Sequence, residues 1–442
     1  MAAPTVRRFT VANPSPYPRA SYVSLPLHLL ELPSVLTAPS RHDGDSNSPL
    51  PCGKLELIRE RHDGFDFVPY QIDAPFGLES PARTLTFLAT NVSPGPSDYA
   101  LSTTEPRFVL RGASPSLLQR AVRPPSLWTG HYYADSHSSE PEDGFSWRWD
   151  PSRLHDGVKL ANEHLELYVR TGPIPAADDL VGSVTSLRLP GVLPYSTTGD
   201  FLRYPSTNGH PHAHWGRLSS LTFFPPPWDT SSPLRADSFL RSGYEVVWAN
   251  AGPIRATVTL ASRRDDLIAL AYSPYPPRAT GQPRIEIRCR LFRVFSLYEH
   301  ADIPCYEEEV HVVDVETGER VFFAPSYAAD VPHSAMDTLL CRFEHIPDYF
   351  AIWKHFGPIH RGLGFAANSH VRDIAVTATT ATWELVGADR FRCIHCFTFL
   401  PRVPPQHDPF HDVGHHAWYS RAYADLRARI EGVPFDVPTA LH

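Results

Sequence analysis

The densest group of chemically capable side chains in the 442-residue sequence lies at Thr207-Asn-Gly-His210-Pro-His212-Ala-His214-Trp215. Side chains of an extended chain alternate between two faces, so His210, His212 and His214 fall on one side. Imidazoles gathered in this way supply an acid/base pair near neutral pH. They are also metal donors: a divalent ion, Zn or Ca, is the one cofactor this sequence leaves open, with His214 assigned as its ligand. Nothing else in the chain requires a cofactor. Arg203 and Tyr204 precede the group. An arginine fork clamps a carboxylate, a tyrosine can move a proton, and Trp215 offers a flat ring on which a sugar can stack. A polar loop, or a plain histidine surface, has the same composition, and both readings stand at this stage.

Two further segments have binding chemistry. Trp128-Thr-Gly-His131-Tyr132-Tyr133-Ala-Asp135-Ser-His137 lies in a stretch, Glu105 to Leu154, where periodicity fades into a Gly/Pro/Ser background. Aromatic and polar side chains on a long irregular segment suit the rim of a ligand site, with a plug between domains as the alternative. Trp353-Lys-His355-Phe-Gly-Pro-Ile-His360-Arg361 reads as a hairpin turn whose His355 and Arg361 are candidate substrate contacts. The spacing of His407, His411 and His415 is helical, but Pro409 and Gly414 interrupt any helix there. Cys393-x-x-Cys396 has no second CxxC, so a zinc ribbon fails, and the pair reads as core on one side and rim on the other. Cys52, Cys289, Cys305 and Cys341 read as ordinary buried thiols. A nucleophile elbow, a phosphate loop, a dinucleotide fingerprint and a His-Glu-x-x-His pair are all missing from the sequence.

Composition narrows the function classes further. The net charge is −8 and spread out, with none of the clustered Lys/Arg that phosphate contacts need, which argues against nucleic acid. No apolar run approaches the roughly 20 residues of a membrane span, and Met1 to Arg8 has no apolar signal core. A cytoplasmic protein, or a secreted one whose signal has been removed, is expected, with a homo-oligomer left open. The 46 prolines are joined by 24 Phe, 18 Tyr and 9 Trp, which marks a folded, loop-rich chain rather than a disordered one.

The elements that must position these groups are strands. Alternating runs such as Ser21-Tyr-Val-Ser-Leu-Pro-Leu and Thr84-Leu-Thr-Phe-Leu-Ala fill residues 1–105, a small β-sandwich or barrel. Residues 106–158 form the aromatic connecting loop. Residues 159–400 carry long antiparallel runs, among them Ile285-Glu-Ile-Arg-Cys-Arg-Leu-Phe and Val310-His-Val-Val-Asp-Val, enough for a large two-sheet supersandwich. Residues 401–442 are a tail with one helix, Trp418 to Glu431, where Trp418, Ala422, Leu426 and Ile430 step by four and Gly432 stops the run. The fold class is all-β.

A resemblance rests on the order of short motifs. Asn13-Pro, the strand at Tyr22, the His62-Asp-Gly turn, Val68-Pro-Tyr-Gln and the tail Gly95-Pro-Ser-Asp-Tyr resemble the β domains at the C-terminal side of retaining α-mannosidases. Leu160-Ala-Asn-Glu-His-Leu-Glu-Leu, Gly182-Ser-Val-Thr-Ser-Leu and Gly252-Pro-Ile-Arg-Ala are similar to strands of a galactose-mutarotase-like supersandwich. The α-mannosidases carry their nucleophile on a separate upstream barrel, to which nothing here corresponds. The resemblance therefore implies that any chemistry sits on the supersandwich itself, as in aldose mutarotases and several polysaccharide lyases.

The expected function is cleavage of a glycosidic bond in a plant, algal or microbial polysaccharide or oligosaccharide, by β-elimination or hydrolysis. In the elimination, Arg203 neutralises a uronate carboxylate, Tyr204 or one of His210, His212 and His214 removes the neighbouring proton, and a second such group protonates the leaving oxygen. Hydrolysis requires two carboxylates about 5 to 9 Å apart. Asp200, Asp229 and the run Glu307 to Glu309 are scattered in sequence. Trp128, His131, Tyr132, Tyr133, Trp215, His355 and Arg361 are the expected sugar contacts. A non-catalytic glycan-binding module and a mutarotase or epimerase are the rival readings.

Overall fold

The structure is a computed structural model. It describes residues 6–13, 19–26, 56–62, 64–73, 84–92, 95–102, 126–134, 147–149, 156–162, 165–172, 181–188, 214–224, 234–236, 240, 242–251, 254–271, 284–298, 304–330, 342–346, 349–356, 359–377 and 380–401. Every element among them is a strand, and all strand pairings are antiparallel. Among the described residues no helix is long and apolar enough to cross a membrane. The expected C-terminal helix, Trp418 to Glu431, lies outside the described residues.

Two sheets build the first domain. One has the order β1 (Val6–Asn13), β7 (Gly95–Ser102), β3 (Glu56–Arg61), β4 (Gly64–Phe67), and the other β2 (Arg19–Pro26), β6 (Thr84–Val92), β5 (Tyr70–Asp73). Their inward positions share one core in which the rings of Phe9, Phe87 and Tyr99 meet. This is the small sandwich that the alternation predicts.

The larger domain is a supersandwich. One face is a nine-stranded sheet: β15 (Tyr244–Ala251), β16 (Arg255–Ser262), β18 (Arg284–Tyr298), β19 (Cys305–Asp314), β26 (Arg390–Pro401), β23 (Ile359–Ala367), β22 (Tyr349–Phe356) and β21 (Arg342–Ile346), with β17 (Asp266–Ala271) also paired to β18. Across the core lie two five-stranded sheets. The first is β12 (Val184–Arg188), β11 (Glu166–Arg170), β10 (Asp156–Ala161), β8 (Ser126–Ala134), β9 (Trp147–Trp149). The second is β14 (Leu234–Ala236), β13 (Arg217–Phe223), β20 (Phe323–Asp330), β25 (Thr380–Leu385), β24 (Val371–Val376). A backbone bridge between Val184 and Trp215 joins these two, with N–H···O distances of 3.0 and 2.9 Å. Alternation sorts the side chains: in β25, Ala381, Trp383 and Leu385 are buried while Thr380 and Thr382 are exposed. One continuous apolar cluster spans all three sheets, and each Leu or Phe taken into it contributes about 1.5–3 kcal/mol.

The two domains touch through motifs read separately in the sequence. Gln71, from Val-Pro-Tyr-Gln, is buried, and its Oε1 accepts from the backbone N–H of Ile254 (3.3 Å) and Arg255 (3.0 Å), which follow Gly252-Pro.

Within 106–158, where an irregular loop is expected, the described residues 126–134, 147–149 and 156–158 are strand. Ser126–Ala134 is strand β8, in register with β10 (Lys159 opposite Trp128, Asp156 opposite His131), and Trp147–Trp149 pairs with its far end. Trp, Tyr and Thr favour strands, but the Gly, Pro and Ser around them blur the alternation. Gly157, next to Gly130 across this pairing, lies under the ring of Tyr168, where a Cβ would collide with the phenol. Gly157→Ala should therefore lower stability by about 1–3 kcal/mol, as overpacking does. Urea unfolding would show a lower midpoint at unchanged slope, and an unchanged midpoint would mean that Tyr168 swings away freely.

Candidate functional site

The histidine segment enters the described structure at His214, and its first two residues go opposite ways. Trp215 points inward and is fully buried between the sheets, its ring near those of Trp383, His395 and Phe397. It is therefore a core residue and not a sugar platform: the amphipathic indole has a hydrogen-bond partner inside. Its Nε1–H donates to His395 Nδ1 at 2.8 Å. Because indole is only a donor, His395 must be neutral with its proton on Nε2. That nitrogen donates to Glu308 Oε2 at 3.1 Å. Glu308 Oε1 in turn accepts from Arg293 Nε (2.7 Å) and lies 2.5 Å from Arg293 Nη2. The same guanidinium donates to the carbonyl of Gly216 at 2.9 Å and to that of Gly182.

These charges are deep in the core, with Arg293 and Glu308 side chains 1% and 0% exposed. Burial alone would raise the Glu308 pKa, but the charge of Arg293 and the bonds from His395 and Arg293 outweigh it and hold the carboxyl below its ordinary value. Burial pushes His395 down, only partly opposed by Glu308. Tyr306 stacks on the imidazole at 4.5 Å. Gly216 fits here because its φ is +66° and a Cβ would press within 3.1 Å of Tyr306 Oη and 3.2 Å of His395 Cε1.

His214 faces away from that core. Its Nδ1 stands 2.8 Å from Asp330 Oδ2, at the end of β20, and its carbonyl accepts the Asp330 N–H at 2.8 Å. The side-chain contact is close but poorly aligned for a hydrogen bond, so the attraction is mainly electrostatic. The imidazole is 9% exposed and the carboxylate 34%. Nε2 is enclosed, and among the described residues it has no hydrogen-bond partner. Next to the pair, the register sets Arg217 against Ala328, Ser220 against Ser326 and Thr222 against Ala324, small or polar residues on the side away from the apolar cluster, of which Ser220, Ala324 and Ala328 are buried. Among the described residues no group of three His, Cys, Asp or Glu is placed to hold a metal.

The other expected site residues are distributed as follows. Arg203, Tyr204, His210 and His212 lie outside the described residues. Trp128, His131, Tyr132 and Tyr133 are on β8, and four strand spacings separate β8 from the strand of Trp215. At about 4.8 Å each, that is about 19 Å along the sheet. His355 pairs with His360, and Lys354 with Arg361, in the β22–β23 hairpin that the turn signal predicts.

The run Glu307 to Glu309 belongs to a polar face of the nine-stranded sheet whose partners the sequence spacing does not reveal. Glu307 and Glu309 flank the inward Glu308 on β19 and occupy its opposite side, about 6.7 Å apart by strand rise. Glu307 Oε2 accepts from Tyr298 Oη (3.1 Å) and Arg392 Nη2 (3.5 Å), and Arg255 Nη1 donates to Tyr298 Oη (3.2 Å). Glu309 is paired with Arg390 and with His311 Nδ1 at 3.4 Å. Burial opposes ionisation of Glu309, but His311 and Arg390 prevail and hold it at about 2. Tyr298 is pushed up to about 12 by burial and by Glu307. The usable signal in the sequence was the alternation of Glu307-Glu308-Glu309 read against Arg390-Phe-Arg392, two runs that only the β19–β26 register brings together.

The buried network generates a stability forecast. His395 and Glu308 both have folded pKa values below the ordinary 6.5 and 4.5. The unfolded chain then binds protons first as pH falls, so their contribution is present at neutral pH and lost downward. Urea unfolding should show stability falling below pH 6.5 and again below 4.5, and His395→Gln should remove the upper step. Arg293→Met, which strands Glu308 without its cation, should cost about 3–5 kcal/mol. A wild-type stability flat from pH 7 to 4 would contradict this network.

No protein-family model and no curated protein matches the chain. Among solved structures, an α-mannosidase from Enterococcus faecalis V583 aligns at TM-score 0.40 and 11% identity, over 95% of this chain and 45% of that one. A protein in glycosyl hydrolase family 38 from Enterococcus faecalis aligns at 0.39 and 10% identity, over 95% and 46%. A TPR-domain containing protein from Parabacteroides distasonis ATCC 8503 gives 0.26 and 11%, over 65% and 56%. The chain spans less than half the length of either Enterococcus protein.

Proposed function

We propose that this chain acts on carbohydrate and cleaves a uronate-containing polysaccharide by β-elimination, with His214 as the final acceptor of the abstracted proton. The observation that carries the reading is the 2.8 Å approach of His214 Nδ1 to Asp330 Oδ2, immediately after the segment that holds Arg203, Tyr204, His210 and His212. A carboxylate on one imidazole nitrogen orients the ring and stabilises the cation that forms when the other nitrogen takes a proton. In the reaction, Tyr204, His210 or His212 removes the proton next to the uronate carboxylate, whose charge Arg203 offsets, and passes it to the enclosed His214 Nε2. The electron pair moves into the ring as the glycosidic C–O bond breaks, and Tyr204 or a neighbouring histidine protonates the departing oxygen. Elimination is favoured over hydrolysis by the state of Glu307 and Glu309: each is already tied to an arginine, and Glu309 at about 2 is not a proton donor near neutral pH.

A panel of polysaccharides, read by ultraviolet absorbance for unsaturated uronate and by reducing-sugar assay, should give absorbing product from an acidic substrate. His214→Ala and Asp330→Asn should each lower kcat by about 10²–10⁴-fold, the usual weight of a positioned proton-transfer group. A chelator should leave the rate unchanged. Full activity in His214→Ala removes the residue from the reaction, whereas loss with chelator and recovery with a divalent ion makes it a metal ligand. Sugar retention with neither kind of product would assign binding without cleavage.

A further inference from the structure

The four described cysteines, Cys289, Cys305, Cys393 and Cys396, are all free and buried. In sequence Cys393 and Cys396 look like partners. Three residues apart on one strand, however, they belong to opposite faces. Cys393 is in the supersandwich core, 3.8 Å from Tyr327 Oη. Cys396 has a different neighbour: the β19–β26 register sets it directly opposite Cys305. The N–H of Phe397 donates to the carbonyl of Pro304 at 2.9 Å. The ladder bonds thus belong to the 304/397 pair, and Cys305/Cys396 is the adjoining non-hydrogen-bonded pair, where Cα atoms come within about 4.5 Å. That spacing falls inside the range a disulfide spans, about 4.4–6.8 Å. The two thiols also lie close enough that Cys305, together with the larger effect of burial, raises the Cys396 pKa.

We propose that Cys305 and Cys396 are a redox pair that closes into a cross-strand disulfide when the protein meets a small-molecule disulfide such as oxidised glutathione. One protein thiolate attacks the glutathione disulfide, releasing one glutathione thiolate and leaving a mixed disulfide. The second protein thiolate attacks the protein sulfur of that bond and displaces the other glutathione. The two cysteines lose two protons and two electrons, and both glutathiones leave as thiols. The bond ties the strands that carry Glu308 and His395 on their inner face.

The test uses the full chain, incubated folded with oxidised glutathione, quenched, alkylated in denaturant and mapped by peptide mass. The expected result is a linked Cys305–Cys396 peptide, loss of both thiols to alkylation, and their return with dithiothreitol. Oxidation should also raise the thermal midpoint of the wild type and leave that of Cys305→Ala unmoved. Cys305 and Cys396 still alkylated, each carrying a separate glutathione, or either linked to another cysteine would overturn the proposal.

Discussion

The arrangement of the large domain turns on one buried ion pair. Arg293 and Glu308 are placed among aromatic rings, with the guanidinium 5.0 Å from the Phe295 centroid and 6.0 Å from that of Tyr244. Taking two charges out of water costs several kcal/mol per ion. What offsets it is full use of the donors: Arg293 serves Glu308 and two carbonyls, and the remaining carboxylate oxygen takes the proton-bearing nitrogen of His395. Such a network demands one geometry. It ties three neighbouring strands of the nine-stranded sheet to Gly182 and Gly216, on either side of the Val184–Trp215 bridge where the two smaller sheets meet.

That seam determines what the outward face can present. Trp215 has one acceptor, His395, and the close approach of Gly216 to Tyr306 leaves the backbone little freedom. With Trp215 held inward, His214 is delivered to the opposite face and meets Asp330 through both a backbone and a side-chain contact. The position of the imidazole is thus settled by charges on the far side of the sheet, none of which touches it. Gln71 extends the same economy to the first domain, which it joins at the start of β16 by capping two backbone N–H groups.

The all-β class and the small sandwich were legible because alternation is a local signal: Phe9 and Val11, or Leu85 and Phe87, announce their buried side within three residues. The Trp353–Arg361 hairpin was legible for the same reason. Strand β8 reads as a loop in sequence because Gly130 and the prolines just before it, Pro124 and Pro125, mimic one. Trp215 reads as a binding surface because it stands beside three histidines, and only its partner 180 residues away makes it core. Asp330, Arg390 and Arg392 were invisible for the same physical reason. Strand register is set by long-range pairing, and no local spacing announces it.

The central claim is that the Arg293–Glu308–His395–Trp215 chain holds the seam of the supersandwich. Hydrogen exchange at the Trp215 indole N–H, assigned by comparison with Trp215→Phe, tests it most directly. If that proton is locked to His395 and the seam opens only with the domain, its opening free energy will equal the global unfolding free energy and fall with it in urea. Exchange at the rate of an exposed indole while core amides stay protected would contradict the account.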